Sequence, residues 1–194
     1  MKILDIQPKR NAFLKPWTIL AMGLMLFTAS CGDDDDLDEE PMNEEETITT
    51  VIVTLTNMSD PSDVITSSIV DPDGDGGVAP AQTAPVVLDS NTTYSVQLGF
   101  LDESDPADVE NIGEEILDED DEHLVCFAAS GDITITRTDT DGMFEVGLQS
   151  RWETGNNSGN STVTVTLKHQ PGIKDGTCPP GETDVEVGFA VTIQ

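Results

Sequence analysis

Beyond Thr47 the chain repeatedly places an apolar side chain at every second position. The cleanest runs are Val51-Val53-Leu55, Tyr94-Val96-Leu98-Phe100, Phe144-Val146-Leu148, Val163-Val165-Leu167 and Val185-Val187-Phe189-Val191-Ile193, mostly with small or polar residues between. A two-residue period puts the apolar members of each run on one face of an extended segment, as in a half-buried β-strand. Shorter candidates lie at 64–70, 85–88, 123–129 and 133–137. Turn chemistry separates them at Asp71-Pro72-Asp73-Gly74, Asp89-Ser90-Asn91, Ser130-Gly131-Asp132 and Thr140-Asp141-Gly142. Eight or nine short strands across residues 47–194 predict one all-β domain, an immunoglobulin-like β-sandwich large enough to bury one core.

One segment departs from that period. Asp105 suits a helix N-cap, Pro106 the first helical position and Asp108 the first turn, while Val109, Ile112 and Ile116 recur at helical spacing. The spacing predicts a short helix over 106–118. Twelve of the 21 residues from Asp102 to Glu122 are acidic, and those past Asp118 sit where the helix dipole disfavours negative charge. Either a bound cation or basic partner offsets them, or they form a solvated loop screened by salt.

The first thirty residues read differently. Lys2, Lys9, Arg10 and Lys15 precede an apolar run of 11 residues, Trp17 to Phe27, which is short of the roughly 20 needed to span a bilayer. Basic residues, a short apolar run and small residues make a secretory leader, residues 1–30. Thr28-Ala29-Ser30-Cys31 resembles the bacterial lipobox, with Thr28 where an aliphatic residue is usual, and that resemblance implies lipid attachment at Cys31. Residues 31–46 then form an acidic tether: ten of the fourteen residues from Asp33 to Glu46 are acidic, with no apolar period, which predicts an extended, disordered spacer. Acids placed directly after a lipidated cysteine resemble the export signal of Bacteroidota-type surface lipoproteins, implying an outer-membrane anchor facing the medium; the alternative is a plain spacer on the periplasmic face.

Charge narrows the partners. The full chain of 194 residues carries a formal charge of −30, and removing the leader's four basic residues and one acid takes it to −33. Such a surface repels phosphate backbones and acidic polymers, so nucleic acid is excluded as a partner, while cations and basic surfaces are concentrated around it.

Three groups of residues are candidates for chemistry. Asp71, Asp73 and Asp75 alternate on a glycine-tightened loop, the arrangement that aims carboxylates at a hard cation such as Ca²⁺. The EF-hand pattern is incomplete, since Gln82 stands where Glu is expected, and the other reading is an acidic β-turn. His123 and His169 are the only histidines; if their strands end at one rim, their rings with Asp120, Asp121 or Glu122 form a Zn²⁺ or Cu²⁺ site, and otherwise they are ordinary strand-end residues. Cys126 and Cys178 are the thiols left after lipidation, read either as a disulfide or as a small buried hydrophobe and an exposed thiol. No G-x-S-x-G, H-E-x-x-H or phosphate-binding glycine loop is present, and two histidines cannot staff a catalytic relay, which points away from an enzyme.

The stretches ETITTVIVTLT, DPDGDGG, NTTYSVQLGFL, EEILDEDDEHLVCF, VTVTLKHQPG and GETDVEVGFAVTIQ, following the acid-rich tether, are similar to those of a family of small acidic Bacteroidota lipoproteins of unknown activity, often labelled type 1 periplasmic-binding fold superfamily proteins. That label implies a two-lobed α/β solute binder, whereas the alternation in this chain predicts a sandwich about half that size. Two functions follow. One is a non-catalytic lipid-anchored binding protein that captures a cation or small solute for an outer-membrane transporter. The other is a structural or adhesive surface module that binds protein or glycan.

Overall fold

The computed structural model describes residues 46–73 and 77–194. The leader, Cys31, the tether up to residue 45 and Asp75 lie outside the described residues. The described chain is mostly β, with strands β1 (Thr50–Asn57), β2 (Val64–Val70), β3 (Ala81–Gln82), β4 (Val86–Leu88), β5 (Thr93–Leu101), β6 (His123–Ala129), β7 (Ile133–Arg137), β8 (Gln149–Thr154), β9 (Gly159–His169) and β10 (Glu182–Ile193), and one helix, α1 (Ile112–Asp118).

They form two sheets, ordered β3-β2-β1-β5-β8-β7 and β4-β10-β9-β6. Neighbours pair antiparallel except β4 and β10, which run parallel. This is the β-sandwich that the alternation predicts. Val51, Val53, Leu55, Tyr94, Val96 and Phe100 from the first sheet meet Val163, Val165, Leu167, Phe189 and Val191 from the second in one core. Trp152 is fully buried there, edge-on to Phe127 at 6.3 Å.

Both sides of the sandwich are closed by chain that changes sheet. On one, β3 pairs with β2 in the first sheet and β4 with β10 in the second, only four residues later. The Gln82 side chain spans the switch, accepting from the Ala190 backbone N–H at 2.8 Å and donating to the Ala190 carbonyl at 3.2 Å. On the other, residues 144–148 cross over, the Val146 carbonyl accepting from Val125 N–H of β6 and the Leu148 carbonyl from Leu98 N–H of β5.

That crossing corrects the strand expected over Phe144-Val146-Leu148. Gly147 adopts φ +99°, outside extended geometry, and Asp139 captures the Gly147 and Gln149 amides at 2.7 and 2.9 Å. The strand begins at Gln149 instead. The helix also starts six residues later than the spacing predicts. Asp105 closes a local turn, accepting from Ala107 N–H at 2.9 Å, and Asp102 and Glu110 exchange backbone hydrogen bonds, so the chain is held as a loop until Asn111. Ile112 and Ile116 then bury against the core while Val109 stays exposed.

Candidate metal centre

Strand register builds the site. β6 and β9 pair antiparallel with His123 directly opposite His169. Directly opposed residues on adjacent strands stand about 5 Å apart on the same face, and the imidazoles stack with centroids 4.6 Å apart and an interplanar angle of 4°. His123 is fully buried and His169 is 6% exposed.

The carboxylates come from two other elements. Glu46, just ahead of β1, places Oε1 3.1 Å from His123 Nε2, and its side chain is only 9% exposed. Glu119, the residue capping the C-terminus of α1, offers its carbonyl to His123 Nδ1 at 3.2 Å. Ligand atoms of Glu46, Glu119, His123 and His169 all lie within 4.8 Å of one another. The carboxylates are thus not Asp120 or Asp121, as the spacing led us to expect; Glu122 contributes only a longer contact, Oε2 at 3.6 Å from His169 Nε2.

The two rings are held unequally. Both nitrogens of His123 are engaged, whereas Nδ1 and Nε2 of His169 are buried without a hydrogen-bond partner, as is Glu46 Oε2. Buried polar atoms without partners cost about 1–3 kcal/mol each, and they mark where a ligand would be welcome. Imidazole lone pairs lie in the ring plane, so two parallel rings do not point at one ion. His169, unheld by hydrogen bonds, is the less constrained of the two rings. The donor set, two imidazoles and two carboxylates, suits Zn²⁺ or Cu²⁺.

Electrostatics sharpen the picture. Burial opposes charge on His123, but the hydrogen bonds to Glu46 and the Glu119 carbonyl, with the charges of Glu46 and Asp184, raise its pKa. Burial likewise opposes ionisation of Glu46, yet the bond to His123 and its own backbone hold it below the usual carboxylate range. Glu115 is pushed up by burial and by Glu110, Glu46 and Glu119 around it.

The surplus acidity at the C-terminus of α1 is met partly from within the chain. His123 takes the Glu119 carbonyl, and Lys174 donates to the Asp120 carbonyl at 2.6 Å and to Asp141 at 2.8 Å, with both members of that ion pair nearly fully buried. Cations near a helix C-terminus complement its dipole. The loop carrying Lys174 is fastened by a disulfide between Cys126 and Cys178, whose Cα atoms are 6.0 Å apart. Arg137 adds to the clamp by donating from Nε to the Val125 carbonyl at 2.5 Å and from Nη1 to Glu145 at 3.2 Å.

The aspartate loop stands apart from the histidines as a ligand set. Asp71 and Asp73 are not among the described groups that converge within 4.8 Å with the histidines. Both carboxylate oxygens of Asp73 accept from Val78 N–H, at 3.2 and 2.9 Å. Asp71 Oδ1 is buried without a partner.

Among the described residues, no helix is long and apolar enough to cross a membrane. No protein-family model, curated protein or solved structure matches this chain. The likeness to Bacteroidota lipoproteins therefore rests on the motifs alone, and what defines the molecule is its class: a two-sheet β-sandwich with two buried histidines beside the half-buried Glu46 and the exposed Glu119.

Proposed function

We propose that this protein is a non-catalytic, lipid-anchored envelope binding protein that captures a divalent transition metal between His123, His169, Glu46 and Glu119. The observation carrying the reading is His169: a buried imidazole with neither nitrogen hydrogen bonded, stacked on the hydrogen-bonded His123 and within 4.8 Å, ligand atom to ligand atom, of Glu46 and Glu119. Zn²⁺ fits a set of two nitrogen and two oxygen donors in tetrahedral arrangement, and Cu²⁺ competes for the same donors. Ca²⁺ is less well served, since it takes six to eight oxygens and this cluster offers two carboxylates beside two imidazoles. The anchor at Cys31, an outer-membrane location and delivery to an outer-membrane transporter are supported by the leader, the lipobox-like tetrad and the acidic tether.

The test is direct. The purified chain is dialysed against Zn²⁺, freed of excess, and analysed for metal, with and without chelator. One Zn²⁺ per chain is expected, with loss in H169Q and E119Q and a rise in stability of about 2.7 kcal/mol at a hundred times the dissociation constant. Absence of bound metal together with an unmoved melting temperature overturns the reading.

A further inference from the structure

Residues 170–181 leave β9 directly after His169, carry no regular secondary structure and return to start β10. Side-chain alternation turns Leu124 and Cys126 of β6 away from the interior that His123 faces. Leu124 is nevertheless fully buried without belonging to the main core, and Cys126 beside it is bonded to Cys178. Residues 170–181 are therefore a strap over the outer face of β6, behind the histidines.

The strap holds the chain next to three of the four proposed ligands. Gln170, adjacent to His169, donates its N–H at 2.6 Å to the carbonyl of Glu122, the residue before His123. Lys174 Nζ donates at 2.6 Å to the carbonyl of Asp120, the residue after Glu119. The turn 119–122, which carries Glu119 and leads into His123, is thus fastened twice. The grip depends on Cys178 through Gln170, whose fully buried side chain donates from Nε2 to the Thr177 and Pro180 carbonyls, at 2.9 and 2.8 Å, on either side of that cysteine. Segments without ladder hydrogen bonds are the first to open locally, and here a covalent link resists it.

That link is placed where it can be exchanged. Cys178 is partly exposed while Cys126 is buried, and Arg137 Nη2 lies 3.5 Å from Cys178 Sγ. A cation beside a sulfur favours its thiolate, and with it exchange in which that sulfur leaves. We propose that the Cys126–Cys178 disulfide is a redox latch on the metal site: a dithiol reductant opens it, the strap releases the 119–122 turn, and affinity for Zn²⁺ falls. The latch rests on the metal reading above and adds its regulation. In the exchange, one thiolate of the reductant attacks Cys178 Sγ and Cys126 departs as a thiolate that takes up a proton. The second thiolate of the reductant then attacks the first reductant sulfur, and Cys178 departs beside Arg137. Two electrons and two protons pass to the chain, giving two thiols, and the reductant ends as its own disulfide.

Zn²⁺ affinity, measured by competition with a chromophoric chelator, is compared in the oxidised full chain, the same chain reduced with a phosphine, and C126A/C178A, which cuts the link without leaving thiols to bind metal. A fall of about tenfold or more is expected in both cut forms, within the usual range for coupling between sites. Circular dichroism should show the fold retained, and hydrogen exchange should quicken in 119–124 as well as in 170–181. Equal or higher affinity in either folded cut form overturns the latch and leaves the metal reading standing. Absence of Zn²⁺ from the oxidised chain overturns both. If C126A/C178A does not fold, the reduced wild type decides, and zinc loss that appears only with global unfolding overturns the latch.

Discussion

His123 and His169 sit directly opposite one another on β6 and β9, stacked at 4.6 Å, and only the first of them is hydrogen bonded. The second ring is a local liability in the metal-free chain, because two buried nitrogens lack partners. Replacing it with a ring of similar size and no nitrogen removes that liability. H169F is expected to leave the metal-free chain as stable as before or more stable by about 1 kcal/mol in chemical denaturation, while abolishing Zn²⁺ binding. A loss of about 2 kcal/mol or more would show that the ring nitrogens do have partners and sink the argument.

The Glu46–His123 pair fixes a pH window. The pKa of His123 is raised from its ordinary 6.5, so its contribution is complete below that value and is lost as pH rises through the raised one. That of Glu46 is lowered from its ordinary 4.5, so its contribution is complete above that value and is lost as pH falls through the lowered one. The stability of the metal-free wild type relative to the E46Q/H123Q double variant should therefore be greatest between about pH 4.5 and 6.5 and decline on either side. Equilibrium unfolding across pH checks it, and a flat difference refutes it.

Cys126 and Cys178 close a loop across 52 positions. In the chain-entropy treatment such a link stabilises by about 4 kcal/mol. Reduction, or the C126A/C178A variant, should lower the melting temperature accordingly and raise exchange first in residues 170–181, which the link fastens over β6. A variant that melts with the wild type would mean the bond constrains nothing.

Gly147 and Gly142 share φ +99°, but only the first is crowded: a Cβ at Gly147 would lie 2.9 Å from both Val125 Cβ and the Val125 carbonyl oxygen, whereas one at Gly142 meets nothing within 4 Å. Backbone strain of about 1–3 kcal/mol applies to alanine at either site, and the clash adds to it only at 147. G147A should be clearly the more destabilising of the two by urea denaturation. Equal costs would show that Val125 yields without penalty.

How much of this was legible beforehand depended on what a two-residue period can carry. β1, β5, β9 and β10 were plain because Val, Leu and Phe occupy the inward positions. β8 was missed because its buried positions are Ser150, Trp152 and Thr154, two of them hydroxyl residues that look like outward ones. The neighbouring run, Phe144-Val146-Leu148, had the right period and the wrong backbone, a glycine and an aspartate having overruled it. The two histidines were singled out, since both sat at strand ends, and their pairing needed only that two strands finish together. Their carboxylates were not legible. Glu46 looked like the last acid of the tether, Glu119 like one of many in a run, and nothing in either neighbourhood distinguishes the acid that folds inward from those that do not.

The strand order of the second sheet bears on when this molecule becomes a molecule. β10, the latest of the described strands in chain order, lies between β4 and β9, and the Gln194 N–H bonds the Leu88 carbonyl beyond it. Until residue 193 has left the ribosome that sheet is no more than the β6–β9 ribbon, and β4 has nothing to lean on. Assembly of the second sheet thus waits for β10, and its apolar strands stay in the open and at risk of aggregation until then.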